Sequence, residues 1–191
     1  AIHVVPVRDA ISYQDYLRAH EDAPHYDEML SFEAEHYSIK SDSFIRATSK
    51  KIAALTPYDT YHKLLNVLDE SSWSSAGQKI LWEFTVPQDG LYAIGVRYLQ
   101  NSDTDKPVYR KIEIDGTVPF AEWEALSFSG TKTGKYTNKT LNAGEEPAYL
   151  YLTAGAHTLA MIVTMGPLKA VYDEIVALMD DINALGMDIQ K

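Results

Sequence analysis

The side chains with the most chemical promise are two carboxylates, Glu33 and Glu35, in the run Leu30-Ser31-Phe32-Glu33-Ala34-Glu35-His36-Tyr37. If that run is a strand, its period of two puts both acids on one face. There they repel unless water or a cation neutralises them, and Ca²⁺ is the usual hard-oxygen partner. Acids on a solvated strand face are the plain alternative. Acid–base catalysis suits the pair badly, because a glycosidase needs its carboxylates on opposite sides of a cleft. The six histidines (His3, His20, His25, His36, His62, His157) show no HExxH or H-x-H spacing, and no GxSxG, P-loop or GxGxxG run occurs. We expect no enzyme.

Aromatic residues form the second promising set, with 13 Tyr and 3 Trp against 5 Phe. Tyr and Trp join an apolar body to a polar tip, which suits both a β-rich core and a recognition surface. Trp73 lies in the serine-rich loop Asp69 to Gly77, where strand periodicity does not explain it. It is either a plug over the end of the fold or a stacking platform. Trp82 is different: it falls in phase with Ile80 and Phe84 and belongs to the core.

The elements that position these residues centre on Gln78 to Tyr98, QKILWEFTVPQDGLYAIGVRY. Ile80, Trp82, Phe84 and Val86 share one face. After Pro87-Gln88-Asp89-Gly90, so do Tyr92, Ile94, Val96 and Tyr98. Two alternating runs around a Pro/Gly turn predict an antiparallel hairpin. One hairpin is unstable alone, so a second sheet must cover it. Val108 to Ile114 predicts a strand closed by the tight turn Asp115-Gly116, and Ala148 to Thr164 predicts a second hairpin around Gly155. Val118 to Phe128 reads as another strand pair or an extended run across the sandwich, and Ser129 to Glu146 as a long loop or weak hairpin. Ser12 should cap a short helix over Tyr13 to Ala19. Tyr61, Leu64, Leu65 and Leu68 predict another helix from Tyr58 to Leu68. The domain plan is an arm over residues 1–30, an all-β two-sheet antiparallel sandwich over 31–165, and a terminal helix over 166–191. Val171, Ile175, Leu178, Ile182 and Leu185 form an apolar stripe on that helix.

Bulk properties narrow the partners. A net charge of −10 and a pI near 5.0 argue against nucleic acid or an anionic membrane. No stretch approaches the apolar length of a membrane span, and no signal peptide is evident. With no cysteine, disulfide and thiolate chemistry are absent. The abrupt start at Ala1 and the closing helix lead us to expect a piece of a longer polypeptide.

FEAEHY, then W-x₃-GQKILWEFTVPQDGLYAIGVRY, KIEIDGTVPF and YLTAGAHTLAMIV, resemble in their order the galactose-binding-like jelly roll of type-six and type-thirty-five carbohydrate-binding modules. The resemblance covers about Ser31 to Val163. Its nearest form is the one near the N-terminus of Gram-positive extracellular solute-binding proteins of sugar ABC transporters. It implies an extracellular or cell-surface location and a structural Ca²⁺ held by Glu33, Glu35 and an acid near the last strand. This chain has Val171 at the matching position, with Asp173 displaced.

The resemblance implies glycan binding through loop aromatics, because CH-rich sugar faces stack on indole and phenol rings. Trp73 and Trp123, with Tyr136, Asn101 and Asn138, are the candidate contacts. Of the two tryptophans, Trp123 is expected to be packed and Trp73 the more accessible. The rival reading is a docking domain with no sugar site, joined to an adjacent domain through Val171, Ile175, Leu178, Ile182 and Leu185.

Overall fold

The computed structural model describes residues 10–52, 55–57, 59–100, 105–131 and 135–189. Thirteen strands and two α-helices are assigned among them. In chain order they are α1 (Tyr13–Arg18), β1 (Ile39–Lys40), β2 (Ala47–Thr48), β3 (Val67–Leu68), β4 (Lys79–Val86), β5 (Gly90–Ala93) and β6 (Gly95–Tyr98). Then follow β7 (Val108–Ile114), β8 (Leu126–Phe128), β9 (Thr137–Thr140), β10 (Asn142–Ala143) and β11 (Glu146–Pro147). The chain closes with β12 (Tyr149–Leu152), β13 (Gly155–Thr164) and α2 (Leu168–Ile189).

The fold is an antiparallel two-layer sandwich. One layer is a five-stranded sheet in the order β1-β4-β13-β7-β8. In the other, β5 pairs with β12 and β6 with β9. Leu141 bridges these pairs by donating to Ile94 and accepting from Ala148. Alternation delivers the core: Ile80, Trp82 and Val86 from β4, Ile112 and Ile114 from β7, and Leu159 and Met161 from β13 meet Tyr92 and Leu150. Phe84, Ile94 and Val96 pack against them half-buried.

Two expected hairpins prove to be corners. β4 pairs with β13 (Trp82↔Leu159) and β5 with β12 (Tyr92↔Leu150), so Pro87–Asp89 carries the chain from one sheet to the other. The turn between β12 and β13 does the same. Asp89 ties the corners together by accepting from the Ala154 amide at 2.6 Å, and the Tyr92 hydroxyl donates to the Gln88 carbonyl at 2.6 Å. Local alternation specifies strands, whereas distant register chooses their partners. At Asp115-Gly116 the tight turn forms as expected. Both residues have positive φ, and Ile114 and Thr117 exchange backbone hydrogen bonds.

Three further readings need correction. Glu33 and Glu35 lie in a turn rather than a strand, because the His36 amide closes back on the Glu33 carbonyl at 3.0 Å. No helix forms between Asp59 and Leu68. Asp59 instead caps the amides of Tyr61 and His62, while Tyr61 and Leu65 point to solvent. Residues 121–124 form a 3₁₀ turn that carries Trp123 inward.

The N-terminal segment docks on the sandwich. Ser12 caps α1 by accepting from the Asp15 amide, and Tyr13 and Tyr16 each accept from the outer edge of β12 (Tyr149 and Tyr151 amides, 2.9 Å). These hydroxyls blunt an edge that would otherwise offer unpaired amides. At the other terminus, Gly166 has φ +56, and a Cβ there would lie 2.5 Å from the Tyr109 ring. Only glycine lets the chain leave β13 so close to that ring.

Candidate functional site

A cleft of about 1240 Å³ opens between the two layers. Trp82, Leu159 and Met161 line it from the five-stranded sheet, Tyr92, Ile94 and Tyr98 from the other layer, and His25 to Glu35 along one side.

Arg110 is the unexpected member of this wall. It shares strand parity with Ile112 and Ile114, so β7 aims a guanidinium into the space between the sheets. The guanidinium lies over the Trp73 ring at 4.5 Å and donates to the Tyr109 carbonyl (2.9 Å) and the Trp73 carbonyl (3.3 Å). Among the described residues, no carboxylate pairs with it. Burial pulls its pKa down to about 10, so it stays charged at neutral pH. With two of five N–H donors used on carbonyls, the remainder can serve oxygen atoms of a ligand.

Trp73 is half-buried. Trp82 meets it edge-on at 6.4 Å, its indole N–H donates to the Gln78 carbonyl at 3.4 Å, and one ring face carries Arg110. It therefore closes the end of the core and lines the cleft at once. Tyr136 also lines the cleft, half-buried. Burial pushes its hydroxyl pKa up, Glu70 adds to that, and Arg97 opposes it.

The other candidates are not gathered there. Trp123 is fully buried beside Phe120 (ring centres 4.6 Å apart), and its N–H donates to the Asn142 carbonyl. It has no face to offer, which corrects its reading as a ligand contact. Asn138 is exposed on β9 opposite Arg97 and does not line the cleft. Asn101 lies outside the described residues.

Glu33 and Glu35 both border the cleft. Glu35 is buried, and its Oε1 has no hydrogen-bond partner among the described residues. Burial raises the Glu35 pKa, its own backbone amide counters that, and the Glu33 charge raises it further. An orphaned buried oxygen beside a second carboxylate is what a cation would satisfy. The fit to calcium is nevertheless partial. Among the described residues no third acidic or imidazole side chain joins the two. Val171 stands exposed on α2, and Asp173 is paired with Lys169 at 2.6 Å. Backbone carbonyls and water would have to supply the remaining ligands.

Sequence reasoning missed Arg110, although its parity with Ile112 and Ile114 was the signal.

The sandwich superposes on a family 35 carbohydrate-binding module from Clostridium thermocellum with a TM-score of 0.52 at 15% identity. The match covers 72% of this chain and 87% of that one. The chain shares the two-layer antiparallel β-sandwich fold of that module. A cycloisomaltooligosaccharide glucanotransferase from Paenibacillus sp., solved with cycloisomaltoheptaose, also matches at a TM-score of 0.52 and 16% identity. That match covers 80% of this chain but only 21% of the glucanotransferase. No protein-family model and no curated protein sequence matches the chain. Among the described residues, no helix is long and apolar enough to cross a membrane.

Proposed function

We propose that the chain is a non-catalytic carbohydrate-binding domain whose ligand enters the mouth of the inter-sheet cleft. One observation carries this reading. Trp73 and Tyr136 line a single cleft with the Arg110 guanidinium, which no carboxylate among the described residues neutralises, on a fold shared with a carbohydrate-binding module. Sugar recognition asks for that combination: apolar ring faces, and a few convergent polar groups to fix the hydroxyls. A calcium ion at Glu33 and Glu35 belongs to the same proposal, supported by the orphaned Glu35 oxygen. An extracellular place beside a sugar importer rests on the order of sequence motifs alone.

A second reading is favoured by one observation, the covered face of Trp73. In it the domain has no sugar site and serves as a scaffold, joined to a solute-binding domain by the stripe on α2. A glycan array probed with the 191-residue chain separates the two. Selective retention of one sugar class supports the first reading, and no retention of any glycan supports the second.

A further inference from the structure

α2 has 22 residues, and every one from Leu168 to Met187 is solvent-exposed. Its apolar positions Leu168, Val171, Ile175, Leu178, Ile182 and Leu185 are between 51% and 68% exposed. A lone helix of this kind is marginal in water, so its stability must come from packing. The spacing says what packs on it. Steps of 3, 4, 3, 4 and 3 residues are a heptad seam, with Leu168, Ile175 and Ile182 at the a positions and Val171, Leu178 and Leu185 at d. Over the last two heptads β-branched isoleucine at a meets leucine at d, the combination that favours two parallel strands.

Charge sets the orientation in the same direction. The g positions hold Glu174 and Asp181, and the e positions hold Tyr172, Met179 and Gly186. In a parallel pair, Glu174 faces Met179 and Asp181 faces Gly186 of the other helix, so no like charges meet. An antiparallel pair would lay acid against acid. Within the described chain, α1 spans only six residues, so the one helix long enough to cover this stripe is α2 itself.

We propose that α2 pairs two copies of this chain as a parallel two-stranded coiled coil. The pairing does not depend on the sugar reading. Its consequence for that reading would be avidity, since two clefts on one stalk engage a repeating polysaccharide together.

Sedimentation equilibrium of the 191-residue chain tests the pairing. The expected mass is twice 21.4 kDa, with association tightening as salt screens the acidic helices. Ile175→Lys combined with Ile182→Lys should return a monomer with an unchanged sandwich melting transition, because both positions are solvent-exposed within one chain. Asp180→Lys, on the outer face, should remain dimeric. Orientation is read from Leu185→Cys in this otherwise cysteine-free chain. A parallel pair cross-links on oxidation, whereas in an antiparallel pair the two thiols lie near opposite ends of the stalk. A monomer at every concentration, as when the stripe instead covers an adjacent domain, would overturn the proposal. So would an assembly larger than two, or no cross-link at Leu185→Cys.

Discussion

The guanidinium of Arg110 lies 4.5 Å from the centre of the Trp73 ring and uses two backbone carbonyls, one of them that of Trp73 itself. A cation is thereby held at a position that strand parity reserves for the core. Cation–π contact compensates part of its desolvation, and the cleft receives the rest of its donors. Arg110→Met fills a similar volume without the charge. Stability should stay level or rise, as replacements of buried charge often do. Affinity for the glycan should fall at least ~10-fold, the loss of about one charged hydrogen bond. Unfolding midpoints and binding isotherms on the same protein check both halves.

Trp123 marks the opposite case, an indole that only packs. Trp123→Ala should cost ~3–5 kcal/mol, in the range for core aromatic truncations. Glycan affinity of the folded molecules should not change. The same cost is expected for Trp82→Ala, which also loses the 2.7 Å bond from its indole N–H to the Ala34 carbonyl. Urea unfolding measures it, and a loss below ~1 kcal/mol would mean the side chain is not core.

Glu35 has a raised folded pKa, so its charged form weakens the fold, and stability returns as pH falls through that pKa. Without calcium, Glu35→Gln should therefore raise Tm at neutral pH. Calcium should raise the Tm of the parent chain and leave that of Glu35→Gln where it is. Identical melting of the parent in calcium and in chelator would remove the metal from the account.

At the far end of the sandwich, His157 Nδ1 stands 2.7 Å from Asp115 Oδ2. Burial alone would lower the His157 pKa, but the Thr153 carbonyl and Asp115 together raise it above 6.5. Burial opposes the charge on Asp115 too, yet His157 and the Thr158 amide hold its pKa below 3.8. The His157 contribution is thus full below 6.5 and is lost as pH rises through the higher folded value. The Asp115 contribution is full above 3.8 and is lost as pH falls through the lower one. Asp115→Asn keeps a residue tolerant of positive φ, so the pair can be removed without straining the turn. The Tm gap between parent and variant should be widest at mildly acidic pH and narrow on both sides. A gap independent of pH would show that the pair carries no charge.

Legibility followed the range of the interactions. The spans of β4 and β7, their inward residues from Ile80 to Ile114, the Asp115-Gly116 turn and the Ser12 cap are local, and each formed as the residues imply. Strand pairing was illegible at Pro87 and Gly155, because a turn signal does not say whether its flanking strands bond to each other. The helix expected up to Leu68 failed where Asp59 spends its carboxylate on two backbone amides and Asn66 clasps Lys50 and Pro57. Apolar spacing alone misses such competition. In the site, Trp73 and Tyr136 were readable as aromatics that strand phase does not place. That both line the cleft into which Arg110 points depends on how distant loops pack against the two sheets, and that is a tertiary fact.

The central claim is that Trp73 and Tyr136 hold a glycan at the cleft mouth. Isothermal titration tests it most directly, using the strongest array ligand against the parent, Tyr136→Ala and Trp73→Ala, each kept well below its melting temperature. The account predicts saturable binding by the parent, with affinity lowered ~10-fold or more in each variant, in line with the loss of an aromatic anchor. Equal affinity in all three proteins would contradict it, as would a parent that binds no glycan.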